Sequence, residues 1–271
     1  MDTKKLEEIA KEIRKDIVTE VHAAKSGHPG GSLSSADILT YLYFEEMKNI
    51  DPKDPKNPDR DRFVLSKGHA APVLYAALAE RGFIPKEDLI TLRKTDSYLQ
   101  GHPDMNTTPG VDMSTGSLGQ GFSVSVGMAL AGKLDEKDYR VYALLGDGEI
   151  QEGQVWEACM FAGAHKLDNL CAILDSNNLQ IDGDVREVCN PYPLDKKFEA
   201  FNFHVIVADA HDFESLKAAF TEARETKGAP SIIIAKSIKG KGVSFMENNA
   251  GWHGKAPDDE QYEQAMKELE A

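Results

Sequence analysis

A glycine-rich acidic segment and an asparagine pair have the residue types and spacing expected of a cofactor site. Residues 146–153 read Gly-Asp-Gly-Glu-Ile-Gln-Glu-Gly, and residues 175–178 read Asp-Ser-Asn-Asn. Each segment directly follows a short apolar run of the length of a buried strand. Because ligands collect at the carboxyl ends of parallel strands, we expect Asp147 and Asn177 to meet at one edge of a sheet. A carboxylate, an amide oxygen and glycine-rich backbone suit a hard cation that bridges a diphosphate.

Magnesium or calcium fits this set of oxygen donors better than zinc does. The eight histidines include no His-Glu-x-x-His pair, and the three cysteines form no Cys-x-x-Cys pair. Taken singly, a Gly-Asp-Gly is usually a turn and an Asn-Asn pair after a strand is usually a loop. Their joint position after two successive strands is what favours a metal site.

Four of the eight histidines lie beside glycine on irregular segments: His28, His69, His102 and His253. A lone histidine is more often a satisfied polar group or a surface residue than a catalyst. Four of them on such segments favour hydrogen bonding and proton transfer to a polyhydroxylated substrate, since loops carry function disproportionately.

Other signals for phosphate binding are weak. The sequence contains no P-loop motif, and no Gly-x-Gly-x-x-Gly follows a predicted strand. Lys236, Lys239 and Lys241 share one loop, and the ordinary interpretation of three such lysines is a solvated segment rather than a phosphate site.

The elements that must position these residues alternate between strands and helices. Strands are predicted at 63–65, 140–145, 170–175, 204–208 and 231–235. Helices are predicted near 6–21, 34–47, 71–81, 122–134, 152–165, 193–201, 212–227 and from 259, with irregular segments at 26–31, 95–118 and 236–258. Trp156 and Phe161 are expected in the core. This order predicts a three-layer α/β/α fold with right-handed crossovers, a mostly parallel sheet and helices on both faces. No repeat or linker divides the chain, which predicts a single domain over residues 1–271.

The composition of the chain limits the kinds of binding partner and the cellular location that we expect. The formal net charge of −14, from 31 basic and 45 acidic residues, argues against general binding to nucleic acids or anionic membranes. The first residues do not form a signal peptide, and no apolar run approaches the roughly 18 residues needed to span a bilayer. The odd number of cysteines, Cys159, Cys171 and Cys189, indicates a reduced compartment and therefore the cytoplasm.

Six ordered motifs, spread from about residue 10 to 257, make the sequence similar to transketolases. The Gly-Asp-Gly and Asn-Asn segments resemble the cofactor-binding signature of thiamine diphosphate enzymes. The motifs that narrow the resemblance to transketolases are Ser-Gly-His-Pro-Gly at 26–30, Leu-Ser-Lys-Gly-His at 65–69, Gly-His-Pro at 101–103, Thr-Gly-Ser-Leu-Gly-Gln-Gly at 115–121 and Trp-His-Gly at 252–254.

The resemblance implies a role for each matching residue. The ligands of Mg²⁺, with Ca²⁺ as an alternative ion, would be Asp147, Asn177 and the backbone carbonyl of Leu179. The diphosphate would be contacted by Gly148, Asn177, His69 and His253. The cofactor's rings would lie against Gly116, Ser117 and Leu118, although the family often has proline where Ser117 stands. The sugar site, with its catalytic histidines, would be lined by His28, His102 and His253. Glu152 matches a glutamate of the subunit interface that couples two cofactor sites.

The match covers only the diphosphate-binding domain of a transketolase, as in the N-terminal subunit of a split enzyme. It implies the thiamine diphosphate-binding fold and transfer of a two-carbon ketol unit from a ketose phosphate to an aldose phosphate in the pentose phosphate pathway. In the family, the activating glutamate and the sugar-phosphate arginines lie in domains that this sequence does not match. We therefore expect a separate C-terminal subunit, assembly into a heterotetramer, and little or no activity from this chain alone.

The sequence leaves three alternatives open. One is a ketol transferase for an unusual sugar. Another is a different thiamine enzyme, such as a 1-deoxyxylulose-phosphate synthase or a dehydrogenase E1 subunit, against which the Gly-His-Pro pairs argue. The last is a binding or regulatory module without catalysis, against which retention of every metal and histidine position argues.

Overall fold

A five-stranded parallel sheet forms the centre of the fold in the computed structural model, which describes residues 1–270. The strands in chain order are β1 (Arg62–Leu65), β2 (Val141–Gly146), β3 (Leu170–Ser176), β4 (Leu179–Gln180), β5 (Gly183–Asp184), β6 (His204–Asp209) and β7 (Ser231–Lys236). In space the large sheet has the order β1-β2-β3-β7-β6, and β4 pairs with β5 in a separate antiparallel ribbon. The ribbon directly follows β3, so it lies at the carboxyl edge of the sheet.

Ten α-helices accompany the strands in this part of the chain: α1 (Thr3–Ala24), α2 (Pro29–Leu33), α3 (Ala36–Tyr41), α4 (Ala71–Glu80), α5 (Gln120–Leu134), α6 (Gly153–Ala164), α7 (Val185–Cys189), α8 (Leu194–Ala200), α9 (Phe213–Glu225) and α10 (Asp259–Glu270). A π-helical turn, Leu42–Glu46, continues α3. Within residues 1–270, none of the helices is both long enough and apolar enough to cross a membrane.

Alternate residues of the central strands β2, β3 and β7 enter two different hydrophobic cores. In β2, Tyr142 and Leu144 belong to the core shared with α1, α3, α4, α9 and α10. Val141, Ala143 and Leu145 belong to the core shared with α5, α6 and α8. A sheet covered on both faces explains why the sequence shows continuous apolar runs instead of alternation. The predicted three-layer α/β/α class is confirmed. The single-domain interpretation extends to Ala271, outside the described residues, and stays a prediction.

Three local features differ from the sequence prediction. As predicted, α1 ends before residues 26–31, and its C-cap residue Lys25 has a left-handed backbone conformation (φ 50°). This segment is not wholly irregular, however, because Pro29 begins the short helix α2. Proline suits a first helical turn because its missing N–H has no partner to lose there. The β4–β5 ribbon and α7 were not predicted, since pieces of two to five residues carry almost no periodicity.

The prediction that Phe161 is a core residue was wrong. Its side chain is 42% exposed and stacks on the His165 ring, with centroids 4.1 Å apart. The buried face of α6 instead carries smaller side chains, including Val155 and Cys159. Trp156 is half-buried at the edge of the same core, where its Nε1 donates to the Ile150 carbonyl at 2.9 Å.

An acidic side chain on α1 lies in the apolar core. Glu20 is fully buried, and neither carboxylate oxygen has a hydrogen-bond partner among residues 1–270. Burial, and then repulsion from Asp16 one turn away, raises the pKa of Glu20 well above its ordinary value. The folded chain therefore favours the neutral form of Glu20 more strongly than the unfolded chain does.

We predict that Glu20→Met stabilises the protein. Because the folded pKa is raised, the wild-type chain loses stability as pH rises above the ordinary pKa of glutamate, and the variant does not share that loss. The gain at pH 8 should be ~1–3 kcal/mol and should be smaller at pH 5. Urea denaturation at both pH values measures it, with the exposed Glu8→Met as the control. A variant less stable than the wild type at pH 8 would contradict a neutral, unpartnered Glu20.

Candidate active site

A cavity of about 330 Å³ lies where β2 and β3 end. Gly146 and Asp175 are register partners on these strands, so the two segments leave the sheet side by side. Ten of the residues assigned to the site from sequence line the cavity: His28, His69, Gly116, Leu118, Asp147, Gly148, Glu152, Asn177, Leu179 and His253. The topology therefore brings together residues from six separate segments of the chain.

The oxygen donors expected for a cation lie at the base of this cavity. Asp147 is 2% exposed, and its Oδ2 and Oδ1 accept from the backbone N–H groups of Asn178 (2.5 Å) and Gly148 (3.1 Å). The amide nitrogen of Asn177 donates to Asp175 Oδ2 at 3.0 Å, and this fixes the orientation of the Asn177 oxygen. Burial, followed by repulsion from Asp175, raises the pKa of Asp147 to about 7.

These groups fit a hard cation. A buried carboxylate with a raised pKa gains from a positive charge, and carboxylate, amide and carbonyl oxygens are ligands that Mg²⁺ accepts. Among the residues that the structure describes, no group of three or more histidine, cysteine or acidic side chains is arranged for a metal. The proposed donor set is of another type, because it combines one carboxylate (Asp147) with a side-chain amide oxygen (Asn177) and a backbone carbonyl (Leu179).

A buried ion pair lies beneath the donors. Lys67 and Asp175 are 2% and 0% exposed, and the Lys67 Nζ donates to Asp175 Oδ2 at 2.5 Å. The same ammonium donates to the Gly31 carbonyl (2.8 Å) and to Ser35 Oγ (2.7 Å). Burial alone would raise the pKa of Asp175, but Lys67 and the hydroxyl donors outweigh it, so the pKa is lowered. Asp175 also accepts from four other side chains, Ser34, Ser35, Ser237 and Asn177.

Three histidines form one cluster in the cavity. The ring centroids are 5.2 Å apart for His28 and His69, 5.5 Å for His28 and His253, and 5.0 Å for His69 and His253. Burial, reinforced by nearby positive charges, lowers their pKa values to about 4 for His28, 2 for His69 and 3 for His253. All three are therefore neutral near pH 7, and each imidazole offers one donor and one acceptor. His28 Nδ1 is buried with no partner among residues 1–270, which leaves it for a ligand.

His102 and Ser117 lie beside the cavity rather than in its lining, and both are exposed. Gly116, with φ +152°, packs so close to His102 that a Cβ would lie 3.1 Å from the imidazole Cγ. The 101–103 and 115–118 segments are thus in contact. Glu152 lines the cavity and is also exposed.

Lys239 is a site residue that the sequence interpretation missed. Its side chain is 2% exposed, and its Nζ donates to His253 Nδ1 at 3.0 Å and to the Leu179 carbonyl at 3.4 Å. Burial lowers the pKa of Lys239 to about 8, although Asp175 opposes the shift. Lys236 is the last residue of β7 and is exposed, and Lys241 is half-buried in the same loop as Lys239; both lie outside this cavity. No local signal sets Lys239 apart, because it lies between Ile238 and Gly240 and Lys241 also borders that glycine.

The comparisons with known proteins agree on one family. Residues 5–270 match the family described as transketolase, thiamine diphosphate binding domain. The 6-deoxy-6-sulfo-D-fructose transketolase subunit SqwG of Clostridium sp. (strain MSTE9) is 47% identical over 265 residues, covering 98% of this chain and 96% of that protein. An apulose-4-phosphate transketolase subunit of Phocaeicola vulgatus is 44% identical over 269 residues, covering 99% and 95%.

Solved structures give the same result for the fold. The transketolase of Campylobacter jejuni superimposes with a TM-score of 0.93 at 38% identity, covering 100% of this chain and 43% of that one. The chain thus spans less than half of that enzyme but nearly the whole of the two subunit relatives.

We predict that Lys67→Met destabilises the fold by ~3–5 kcal/mol, because it leaves the Asp175 carboxylate buried without its cation. Chemical denaturation measures the loss. Adding Asp175→Asn should recover part of it, since no buried charge then lacks a partner.

The control for this prediction is Lys133→Met, which breaks the partly exposed ion pair with Asp168 (2.7 Å) and should change stability by less than about 1 kcal/mol. Equal losses for Lys67→Met and Lys133→Met would contradict a stabilising role for the buried pair.

Proposed function

The chain belongs to the family of transketolase thiamine diphosphate-binding domains, and from this premise we propose that it is the N-terminal, cofactor-binding subunit of a two-chain transketolase. The observation that carries the proposal is the cavity at the ends of β2 and β3. It gathers three hard oxygen donors, two buried ammonium groups, of which Lys67 is paired with Asp175, and three neutral histidines within a single space. A magnesium-bound diphosphate with a polyhydroxylated substrate beside it matches that chemistry.

Different residues of this chain would bind the cation and the diphosphate. Asp147, Asn177 and the carbonyl of Leu179 would hold Mg²⁺, with Ca²⁺ as an alternative ion. Lys239 would neutralise diphosphate charge, and Gly148, which lines the same cavity, would contact the diphosphate. When bound, thiamine diphosphate supplies the electron sink for ketol transfer.

The remaining residues would orient the sugar. Neutral His28 and His253, with His102 at the cavity's edge, would exchange hydrogen bonds and protons with the hydroxyl groups of the donor. His69 and His253 would also contact the diphosphate. Gly116, Ser117 and Leu118 would lie against the cofactor's rings. Because the imidazoles are neutral, each can donate at one nitrogen and accept at the other.

For the substrate, we propose transfer of a two-carbon ketol unit from a ketose phosphate to an aldose phosphate. The pentose phosphate pathway is the first candidate. An unusual sugar is the second, and the observation that favours it is the pair of subunit relatives, whose names specify 6-deoxy-6-sulfo-D-fructose and apulose-4-phosphate. A panel of ketose and aldose phosphates separates the two.

We also propose a separate C-terminal subunit that completes the site, in a heterotetramer of two chains of each kind. The two relatives named as transketolase subunits, which match this chain over nearly their whole length, support this arrangement. Ser117 lies beside the cavity, Glu152 lines it, and both are exposed. A second polypeptide would meet the cofactor at these two residues. Three free cysteines, of which Cys189 is exposed, support a reduced, cytoplasmic setting.

The test of the split enzyme is reconstitution. Ketol transfer is assayed with this chain alone, with only the co-purified C-terminal subunit, and with both together, in the presence of thiamine diphosphate and Mg²⁺. We expect turnover only from the mixture, because the activating group and the sugar-phosphate cations come from the partner. Full turnover by this chain alone would refute the proposal.

The test of the metal assignment is Asp147→Ala in the reconstituted complex. The substitution removes the carboxylate of the donor set, so we expect Mg²⁺-dependent binding of thiamine diphosphate to be abolished. Equilibrium dialysis with and without Mg²⁺ measures it. The matched control, Asp138→Ala, removes an exposed carboxylate and should bind as the wild type does. Unchanged affinity in Asp147→Ala would show that the cation lies elsewhere.

A further inference from the structure

A buried charge cluster outside the cavity joins α1, α3 and the turn after β6. Asp37 is 5% exposed and receives two hydrogen bonds from the Arg14 guanidinium, at 2.9 and 2.5 Å. His211 Nδ1 lies 2.7 Å from Asp37 Oδ2. Burial opposes ionisation of Asp37, but Arg14 and His211 hold its pKa at about 2, so the carboxylate is charged.

The hydrogen bond at the second ring nitrogen of His211 determines which of the two nitrogens carries the proton. The backbone N–H of Ile238 donates to His211 Nε2 at 2.9 Å. An N–H can donate only to an unprotonated nitrogen, so the ring proton is on Nδ1 and points to Asp37. His211 thus connects a fixed carboxylate to the main chain of the loop after β7.

The same cluster holds this loop at a second point. Arg14 Nε donates to the Lys241 carbonyl at 3.1 Å. Between the two attachments lies Lys239, whose ammonium reaches His253 and the Leu179 carbonyl in the cavity. Gly240 N–H donates to the Gly30 carbonyl at 3.0 Å, so the main chain on either side of Lys239 is held in place.

We propose that His211 is a positioning residue of the cofactor site: through Asp37 on one side and the Ile238 N–H on the other, it sets the place of the Lys239 ammonium. The proposal rests on the proposed function, in which Lys239 faces the diphosphate. His211 does not line the cavity, so its effect on a diphosphate passes through the Ile238–Lys239 main chain.

A cluster that only stabilises the fold would behave differently. Loss of His211 would then lower the unfolding free energy, and any effect on ligand affinity would be the same whether or not Lys239 is present. A positioning residue acts through Lys239, so its effect on affinity disappears once the ammonium is removed. A double-mutant cycle distinguishes these two cases.

The experiment uses the complex reconstituted with the C-terminal subunit, in which this chain is the wild type or its His211→Phe, Lys239→Met or doubly substituted variant. Calorimetric titration with inorganic diphosphate plus Mg²⁺, and with thiamine diphosphate plus Mg²⁺, gives the dissociation constants. We expect His211→Phe to weaken binding about tenfold, the effect of about one hydrogen bond. In the Lys239→Met background the same substitution should change affinity less than about twofold.

Two further variants serve as controls. His204→Phe replaces a histidine of β6 whose side chain is 39% exposed and pairs with Glu222, and it should bind as the wild type does. His211→Gln keeps a side-chain oxygen that can accept from Ile238, so it should recover part of the affinity, and it tests the same coupling if His211→Phe does not fold. Long-range ¹H–¹⁵N spectra of histidine-labelled chain should show the Nδ1–H tautomer of His211.

The outcomes separate this inference from the proposed function. Equal losses from His211→Phe in both backgrounds, or an Nε2–H tautomer, would overturn the positioning role and leave the function standing. Unchanged affinity in Lys239→Met would overturn the diphosphate role of Lys239. A wild-type complex that binds neither probe at millimolar concentration would overturn the proposed function together with this inference.

Discussion

The ion pair between Lys67 and Asp175 is the interaction on which the rest of the site depends. Removing two charges from water costs free energy unless each charge has several hydrogen-bond partners, and both Lys67 and Asp175 have them. Asp175 accepts from Lys67 and from hydroxyl and amide donors on the α2–α3 segment, the end of β3 and the end of β7. One carboxylate therefore joins the segments that meet at the carboxyl edge of the sheet, and it turns the oxygen of Asn177 away from itself.

The charges around the cavity are arranged to accept an anion within a strongly acidic protein. The charge of Lys67 is matched by Asp175, whereas the hydrogen bonds of Lys239 go to neutral acceptors, His253 and the Leu179 carbonyl. Burial keeps the histidines neutral, and positive charge adds to it, since Lys67 is the largest charge effect on the pKa of His69 and Lys239 on that of His253. A single environment thus contains both the Lys239 ammonium and neutral imidazoles, which in the proposed function would meet a phosphate group and hydroxyl groups.

The strands and the convergence of Asp147 with Asn177 were predictable, because strands buried on both faces give continuous apolar runs and parallel strands end at one edge. The burial of Lys239 was not. Lys239 lies between Ile238 and Gly240 and has no local signal of burial, because the residues that contact its loop, such as Gly30 and His211, lie far away in the sequence. The prediction for Phe161 was wrong for a related reason. A helix that packs against a sheet can present small residues to the sheet, and a large apolar side chain can then lie on the face of the helix that points away from it.

Buried carboxylates hold the loops of the site, and this explains how one chain can carry an ordered part of a shared site. Glu149 accepts from Ser66 Oγ (2.5 Å) and from the N–H groups of Gly119 (2.9 Å) and Gly146 (3.0 Å), which fixes two glycine-rich turns. Asp175 accepts from Asn177 and Ser237 at the ends of β3 and β7. Asp37 accepts from Arg14 and His211, which in turn contact the loop after β7. Because these loops are ordered by contacts within the chain, the conformational entropy of arranging them is already overcome by folding. In the proposed two-chain enzyme, a partner polypeptide would then have only to add its own groups beside the cavity, where Ser117 and Glu152 are exposed.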